Sequence, residues 1–445
     1  MSSVTFRPSP VVAAARALCV AALLTPLTSL AQTPGDTAAA VRDLRQRLEV
    51  LEAQLAAERA ARVTPPPVAA ADSKPNELKL GDTKVTVGGY VKADALVSRF
   101  SEGEVAQGSG RDFYLPNSIP VSNGSGKSRE FLDAHAKETR LFVKSETNLD
   151  GHKLGTHVEM DFIVNQSASA NEIVTNAYTP GFRRAFVTYD NWLVGQEWTT
   201  FMNLAALPET LDFVAFPSDG TIFVRQPQLR YTAGAFQFAL ENPETSVLPD
   251  GGGAVAGSGD GLLPDAVLRY NLKVGMAELS VSGLLRQLKV ENPAAGTVAA
   301  VSDKTTGAGI GLGGKIAFGA DDLKFMLITG EGVGRYMALG TSADAVLAAG
   351  ELDAIGITGG YLAYKHAWTP QWRSTATVSA LAIDNPTART GTALTRQVQS
   401  ASINLLYSPV ARLTFGAELR HARRELENGQ DGNLDRLQLS AKYSY

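Results

Sequence analysis

The stretch Lys84-Val85-Thr86-Val87-Gly88-Gly89-Tyr90-Val91-Lys92-Ala93-Asp94-Ala95 puts Val85, Val87, Val91, Ala93 and Ala95 on one face of an extended chain and Lys84, Thr86, Tyr90, Lys92 and Asp94 on the other. Successive side chains of a strand point to opposite sides, so a period of two with one wholly apolar face marks a strand between two unlike media. The period recurs to the last residue, near 138–149, 153–164, 182–190, 191–199, 225–233, 234–241, 264–273, 275–290, 304–318, 321–331, 354–368, 371–384, 395–407, 412–427 and 433–445. With the first segment this makes sixteen strands.

The connections between them alternate in length. Tight turns are expected at Asp150-Gly151, Asp190-Asn191, Ala233-Gly234, 273–275, 319–322, Thr369-Pro370 and Ser408-Pro409, and long polar segments at 98–137, 242–261 and 331–353. Short turns at one end and long loops at the other are the pattern of an outer-membrane barrel, with the turns on the periplasmic side and an even strand count. A soluble β-sandwich would need its apolar strand faces to meet in a core, and it gives no reason for the alternation. Past the N-terminus no apolar run reaches the ~18 residues of a spanning helix. The expected fold class is therefore all-β: a sixteen-stranded antiparallel transmembrane barrel, preceded by a short helical coiled coil. In the last strand Leu437, Leu439, Ala441, Tyr443 and Tyr445 share one face, and Trp192, Trp368, Trp372 and Tyr407 fall near turns, where an aromatic girdle belongs.

Residues 1–31 read as a secretory signal, with Arg7 and Arg16 ahead of an apolar run and Ser29-Leu30-Ala31 as the cleavage site. In 38–62, Val41, Leu44, Leu48, Leu51 and Leu55 repeat at 3-4-3-4 spacing, a heptad pattern expected to form a periplasmic coiled coil; the alternative is an amphipathic helix on the protein's own surface. Residues 63–82, with Pro65-Pro66-Pro67 and Pro75, form an extended linker, and 83–445 the barrel.

Composition excludes several chemistries. The single cysteine, Cys19, lies inside the signal, leaving no thiol for a disulfide, a metal or a nucleophile. Removing the signal takes two of the 41 basic residues and no acid, so 39 basic face 45 acidic residues, a net charge of −6 that disfavours nucleic acid. The run Gly309-Ile310-Gly311-Leu312-Gly313-Gly314 contains GxGxxG but no following helix, so it binds no dinucleotide; its glycines are expected on the lipid side, where a neighbouring subunit approaches. His152 and His157 have no completing ligand cluster, and no nucleophile motif surrounds His366 or His421. No cofactor, metal or catalytic residue is expected.

The charge on the inward face of such a barrel is its chemistry. Period two assigns to it Arg140, Lys144, Arg184, Arg230, Arg269, Arg286, Lys315, Arg373 and Arg420, interleaved with Glu146, Glu159, Asp161, Glu278 and Glu418. The stretch 199–230, which holds the third long loop in chain order, is too apolar to sit in water and is expected to fold into the barrel, with Glu209, Asp212 and Asp219 facing Arg140, Arg184, Arg225 and Arg230. Pro227 is expected to break the ladder and swing Arg225 inward beside Arg230. Paired guanidiniums favour anions, because arginine is permanently charged and grips carboxylate with two bonds.

The segments Glu138-Thr139-Arg140-Leu141, Arg183-Arg184-Ala185-Phe186, Gly195-Gln196-Glu197-Trp198-Thr199-Thr200-Phe201 and Arg225-Gln226-Pro227-Gln228-Leu229-Arg230-Tyr231, with the signal, heptads and spacer, resemble the DcaP-like trimeric porins over nearly the whole chain. The resemblance implies a homotrimer of barrels with a periplasmic coiled coil, set among outer-membrane lipid and lipopolysaccharide. It also implies passive uptake of small anionic solutes, typically dicarboxylates, and carries Arg184, Arg225 and Arg230 over as anion contacts. Two alternatives remain open, a non-selective general porin and a structural tether whose heptad segment binds peptidoglycan.

Overall fold

The computed structural model describes residues 76–106, 110–166, 175–212, 217–292 and 300–445. The expected signal, the heptad segment and the linker up to residue 75 lie outside the described residues. The chain divides into Met1–Lys74 and Pro75–Tyr445.

Among the described residues sixteen strands form the barrel wall: β1 Thr83–Phe100, β2 Arg140–Leu149, β3 His152–Gln166, β4 Tyr178–Tyr189, β5 Trp192–Trp198, β6 Arg225–Ala233, β7 Phe236–Glu241 and β8 Asp265–Val274. They continue with β9 Ala277–Asn292, β10 Val301–Phe318, β11 Asp321–Glu331, β12 Gly356–Ala367, β13 Trp372–Asp384, β14 Thr395–Val410, β15 Leu413–Leu426 and β16 Asp431–Ser444. Each pairs antiparallel with the next, and residues 90–100 of β1 pair with 444–434 of β16, which closes the sheet. The alternation that marks each strand thus becomes an inside and an outside. Phe182, Leu268, Leu285, Ile310, Val378 and Leu419 are all more than half exposed on the outer wall, whereas Lys92, Asp94, Glu241, Asp265, Arg286, Arg420 and Arg436 are buried within. An apolar belt around the whole barrel is stable only against lipid.

Turn chemistry sets the hairpins. Asp150 and Gly151 both take positive φ (51° and 88°), the twist that a two-residue hairpin needs. At the turn end Trp372 stacks on Tyr407 with ring centroids 4.5 Å apart, and Trp192 lies against Tyr231 at 4.6 Å, so the expected girdle forms. The expected turn at Ser408-Pro409 moves to Ala411-Arg412: β14 runs on to Val410, and a register shift between Tyr407 and Val410 accommodates the proline, which has no N–H for the ladder. Pairing also starts before residue 83, because Glu77–Leu80 lies against residues 83–86.

Two departures position the interior. The wall beside β1 is interrupted: β2 pairs with it up to Tyr90, a separate strand Arg129–His135 pairs from Asp94 onward, and residues 136–139 bulge between them. Gly309, Gly311 and Gly313 of β10 face the lumen and not a neighbouring subunit, whereas Gly314 lies on the outer side between Leu279 and Phe325. A Cβ on Gly311 would lie 3.5 Å from the Phe201 ring and one on Gly313 3.2 Å from Asn203 Cβ, so the glycines form a groove that seats the third loop.

The loops fill much of the lumen. The first loop (101–139) packs Tyr114 and Ile119 against Phe100, Ala422 and Leu434, while the third (199–224) and sixth (332–355) pack Phe201, Met202, Ile222, Tyr336 and Met337 against Met326, Ile328, Ile357 and Tyr361. The third and sixth loops are zipped together by Phe223 N–H to the Tyr336 carbonyl at 2.9 Å and Ala338 N–H to the Thr221 carbonyl at 3.0 Å. Strands Thr245–Pro249, Ala256–Ser258, Ala345–Ala348 and Glu351–Ala354 of the fourth loop (242–264) and the sixth form a second sheet. Full burial of each large apolar side chain contributes about 1.5–3 kcal/mol, so these loops are held as a core is held.

Candidate functional site

The inner face of β2–β8 carries arginines where the opposite wall is covered by loops. Arg140, at the start of β2, lies 3.7 Å from Glu159 and 3.8 Å from Asp161 of β3. On β4, period two predicts one inward arginine and the structure has two. Glu159 pairs with Arg184 but Met160 pairs with Phe182, so Arg183 is the extra residue of a bulge and turns inward with Arg184. Arg183 Nε donates to Glu159 at 2.9 Å and Nη1 to Asp161; Arg184 grips Glu197 of β5 through Nε at 2.7 Å and Nη2 at 2.5 Å. The tandem Arg183-Arg184 in an otherwise alternating strand is the signal that the sequence offered for this site.

Arg225 stacks over Trp198, its register partner on β5, with 5.1 Å from Cζ to the ring centroid, and lies within Coulombic range of Arg183, Asp161, Arg140 and Glu159. Pro227 leaves the register of β6 unshifted on both edges. Arg230 is within range of Glu197, Glu241 and Arg184. Among the described residues neither Arg225 nor Arg230 has an ion-pair or hydrogen-bond partner. Glu241 accepts from the Thr200 N–H at 2.7 Å and from Gln226. This wall therefore sets six arginines, 140, 183, 184, 225, 230 and 269, together with Lys144 and Lys273, against six carboxylates, Glu146, Glu159, Asp161, Glu197, Glu241 and Asp265. A cavity of about 500 Å³ opens before it, its charged lining made of Arg184, Arg230, Arg269 and Lys273 with Glu197 and Glu278, and the third loop contributing Met202, Leu204 and Ala205.

Other expected residues hold the loops. Arg269 donates through Nη1 to the Met202 carbonyl at 2.5 Å, fixing the base of the third loop. The Arg286 side chain is fully covered between Asp265 and Asp344, so it lines no open space. Lys144 stands nearer the turn end, half exposed and 3.9 Å from Glu146. Glu209 is gripped by Arg373 at 2.8 and 2.6 Å on β13, Asp212 accepts from the Tyr114 N–H at 2.9 Å, and Asp219 accepts from Ser400 Oγ at 2.9 Å on β14. The three acids therefore attach the third loop to its own side and to the first loop, instead of facing the arginines. Burial pushes the Asp219 carboxyl above the usual range, and an acid this enclosed is retained only because it is hydrogen-bonded.

A family model described as DcaP outer membrane protein matches residues 70–445. The outer membrane channel DcaP of Acinetobacter baumannii superposes with a TM-score of 0.66 at 23% identity, over 82% of this chain and 99% of that one. OmpT, an outer membrane protein of Vibrio cholerae, gives 0.49 at 12% identity over 83% and 99%, and an anion-selective porin from Comamonas acidovorans 0.48 at 13% over 82% and 100%. A comparison with curated sequences returned no relative. With the closed sixteen-stranded barrel and its lipid-facing apolar belt, the match over most of the sequence establishes that this chain is an outer-membrane β-barrel channel and belongs to the DcaP outer membrane protein family.

Proposed function

We propose that the channel passes small hydrophilic anions, carboxylates and dicarboxylates foremost, by passive diffusion along the arginine wall, with the third loop narrowing the path from the other side. The observation that carries this reading is the pair Arg225 and Arg230, unpaired among the described residues on a wall where basic side chains outnumber acidic ones. Fixed positive potential in a low-dielectric cleft concentrates anions, and a guanidinium without an internal partner is free to bind a carboxylate with two bonds. We further propose that the barrels assemble as a homotrimer among outer-membrane lipid and lipopolysaccharide. In this arrangement residues 38–62 form a coiled coil in the periplasm, joined by the linker, and the signal is removed on export.

The test is the reversal potential of the purified channel in a planar bilayer under a KCl gradient. Wild type is expected to prefer chloride, and Arg225→Ala with Arg230→Ala to lose most of that preference, since the two wall arginines without an internal partner are gone and no local acid is left without its partner. Equal permeability of both ions in wild type would make the protein a general porin. Absence of conductance would favour a tether, whose attachment to peptidoglycan should disappear when residues 38–75 are deleted.

A further inference from the structure

The interruption in the wall beside β1 gathers a cluster that solute passage does not use. Register pairs Asp94 with His135, and the bulge at 136–139, closed by the Thr139 N–H to Ala136 carbonyl bond at 3.1 Å, brings Glu138 to the same place. One ligand atom from each of these three residues lies within 4.8 Å of the others. All are enclosed: Asp94 is 4% exposed, Glu138 1% and the His135 side chain 2%. Lys92 Nζ lies 3.0 Å from Asp94 Oδ1 and also binds Glu138 Oε2, and Lys137 is paired with Asp112.

Two features are left over once those pairs are made. Among the described residues Asp94 Oδ2 and both imidazole nitrogens of His135 are buried without a hydrogen bond, Nε2 lying 3.7 Å from the Asp112 carboxylate, beyond bonding distance. Buried polar atoms in native proteins nearly always have a partner, so three orphans in one cluster point to a ligand. The local charge admits a cation, since Asp94, Asp112 and Glu138 outnumber Lys92 and Lys137 by one. One imidazole and two carboxylates are a donor set for borderline divalent metals. We propose that Asp94, His135 and Glu138 bind one divalent transition-metal cation of the Zn²⁺ class on the lumen wall.

The site adjoins the third loop. Lys92 Nζ also donates to the Leu211 carbonyl at 2.8 Å, so a metal competing for the carboxylates of Lys92 acts on the contact that holds the middle of that loop. Calorimetric titration of the EDTA-stripped, detergent-purified full chain with ZnCl₂ tests the assignment. One Zn²⁺ per chain is expected, with affinity falling about tenfold or more in His135→Ala and Asp94→Asn and unchanged in His421→Ala, whose imidazole pairs with Asp435 on the outer wall. Heat-modifiable migration confirms that each variant is a barrel. Co²⁺ loading of the wild type reads the site without a variant, since nitrogen and oxygen coordination in a closed site gives visible d–d bands. No binding, binding indifferent to His135→Ala, or Co²⁺ with the spectrum of the aqueous ion would overturn the proposal and leave water as the partner of the orphan atoms.

Discussion

Arg286→Ala is expected to raise single-channel conductance severalfold and to admit solutes that wild type excludes, without unfolding the barrel. The Arg286 side chain is the cation between two buried acids, 3.3 Å from Asp265 and 2.9 Å from Asp344, and it also donates to the backbone carbonyls of Gly332 and Glu244. One residue of β9 therefore holds both the fourth and the sixth loops. The bond from Tyr336 hydroxyl to Asp265 at 2.8 Å and the pair between Arg335 and Asp265 at 3.2 Å belong to the same network. Removing one partner of such a cluster leaves uncompensated buried charge and costs about 3–5 kcal/mol. That cost falls on loop seating, because the ladders of β8, β9 and β10 do not depend on the side chain. The sixth loop carries Tyr336 and Ala338, which are zipped to the third loop, so both loops should loosen together. Conductance in planar bilayers and liposome swelling with sugars of increasing size measure the effect, and limited proteolysis of the sixth loop reports its release. An unchanged conductance together with new proteolysis of that loop would mean that the ionic path does not pass beneath it.

How much of this was readable in the sequence follows from what period two encodes. It states which way a side chain faces, so the sixteen strands, the lipid belt and the inward position of Arg140, Arg184, Arg230 and Arg269 followed from alternation alone. It does not state what lies over an inward residue. Arg286 and Arg230 have the same parity within their strands, yet the fourth and sixth loops cover one and leave the other beside a cavity. Gly309, Gly311 and Gly313 of β10 depart from expectation for a related reason: a residue without a side chain carries no polarity, so its face follows only from neighbours such as Leu312, which is exposed outward. Arg183 was missed because a bulge breaks the parity on which the reading depends. Asp212 and Asp219 were legible as acids in an apolar loop, but their direction was set by Tyr114 and Ser400, more than 90 positions away in sequence. Loops folded into a lumen are tertiary structure, and short-range pattern carries little of it.

The glycine groove leads to the second large effect, in the opposite direction. Gly311→Leu is expected to lower conductance severalfold while leaving the preference for chloride over potassium intact. A Cβ at position 311 would stand 2.7 Å from Ser282 Oγ and 3.5 Å from the Phe201 ring, and the rest of a leucine would occupy the space of that ring. Phe201 is 1% exposed, and its carbonyl accepts from Ser282 Oγ at 3.0 Å, so the base of the third loop has no slack on this side. Overpacking of this kind costs about 1–3 kcal/mol, which a sixteen-stranded ladder withstands and a loop contact does not. The loop must move off β10, and the space available is the cavity between it and Arg184, Arg230 and Arg269. The passage narrows while its charges stay in place. Leu312→Ala, one residue along and facing lipid, serves as the control and should conduct as wild type does. The double variant Gly311→Leu with Phe201→Ala separates steric displacement from general damage, since removing the ring returns the space that the leucine takes and conductance should recover. If the double variant conducts no better than Gly311→Leu alone, the groove does not set the position of the loop.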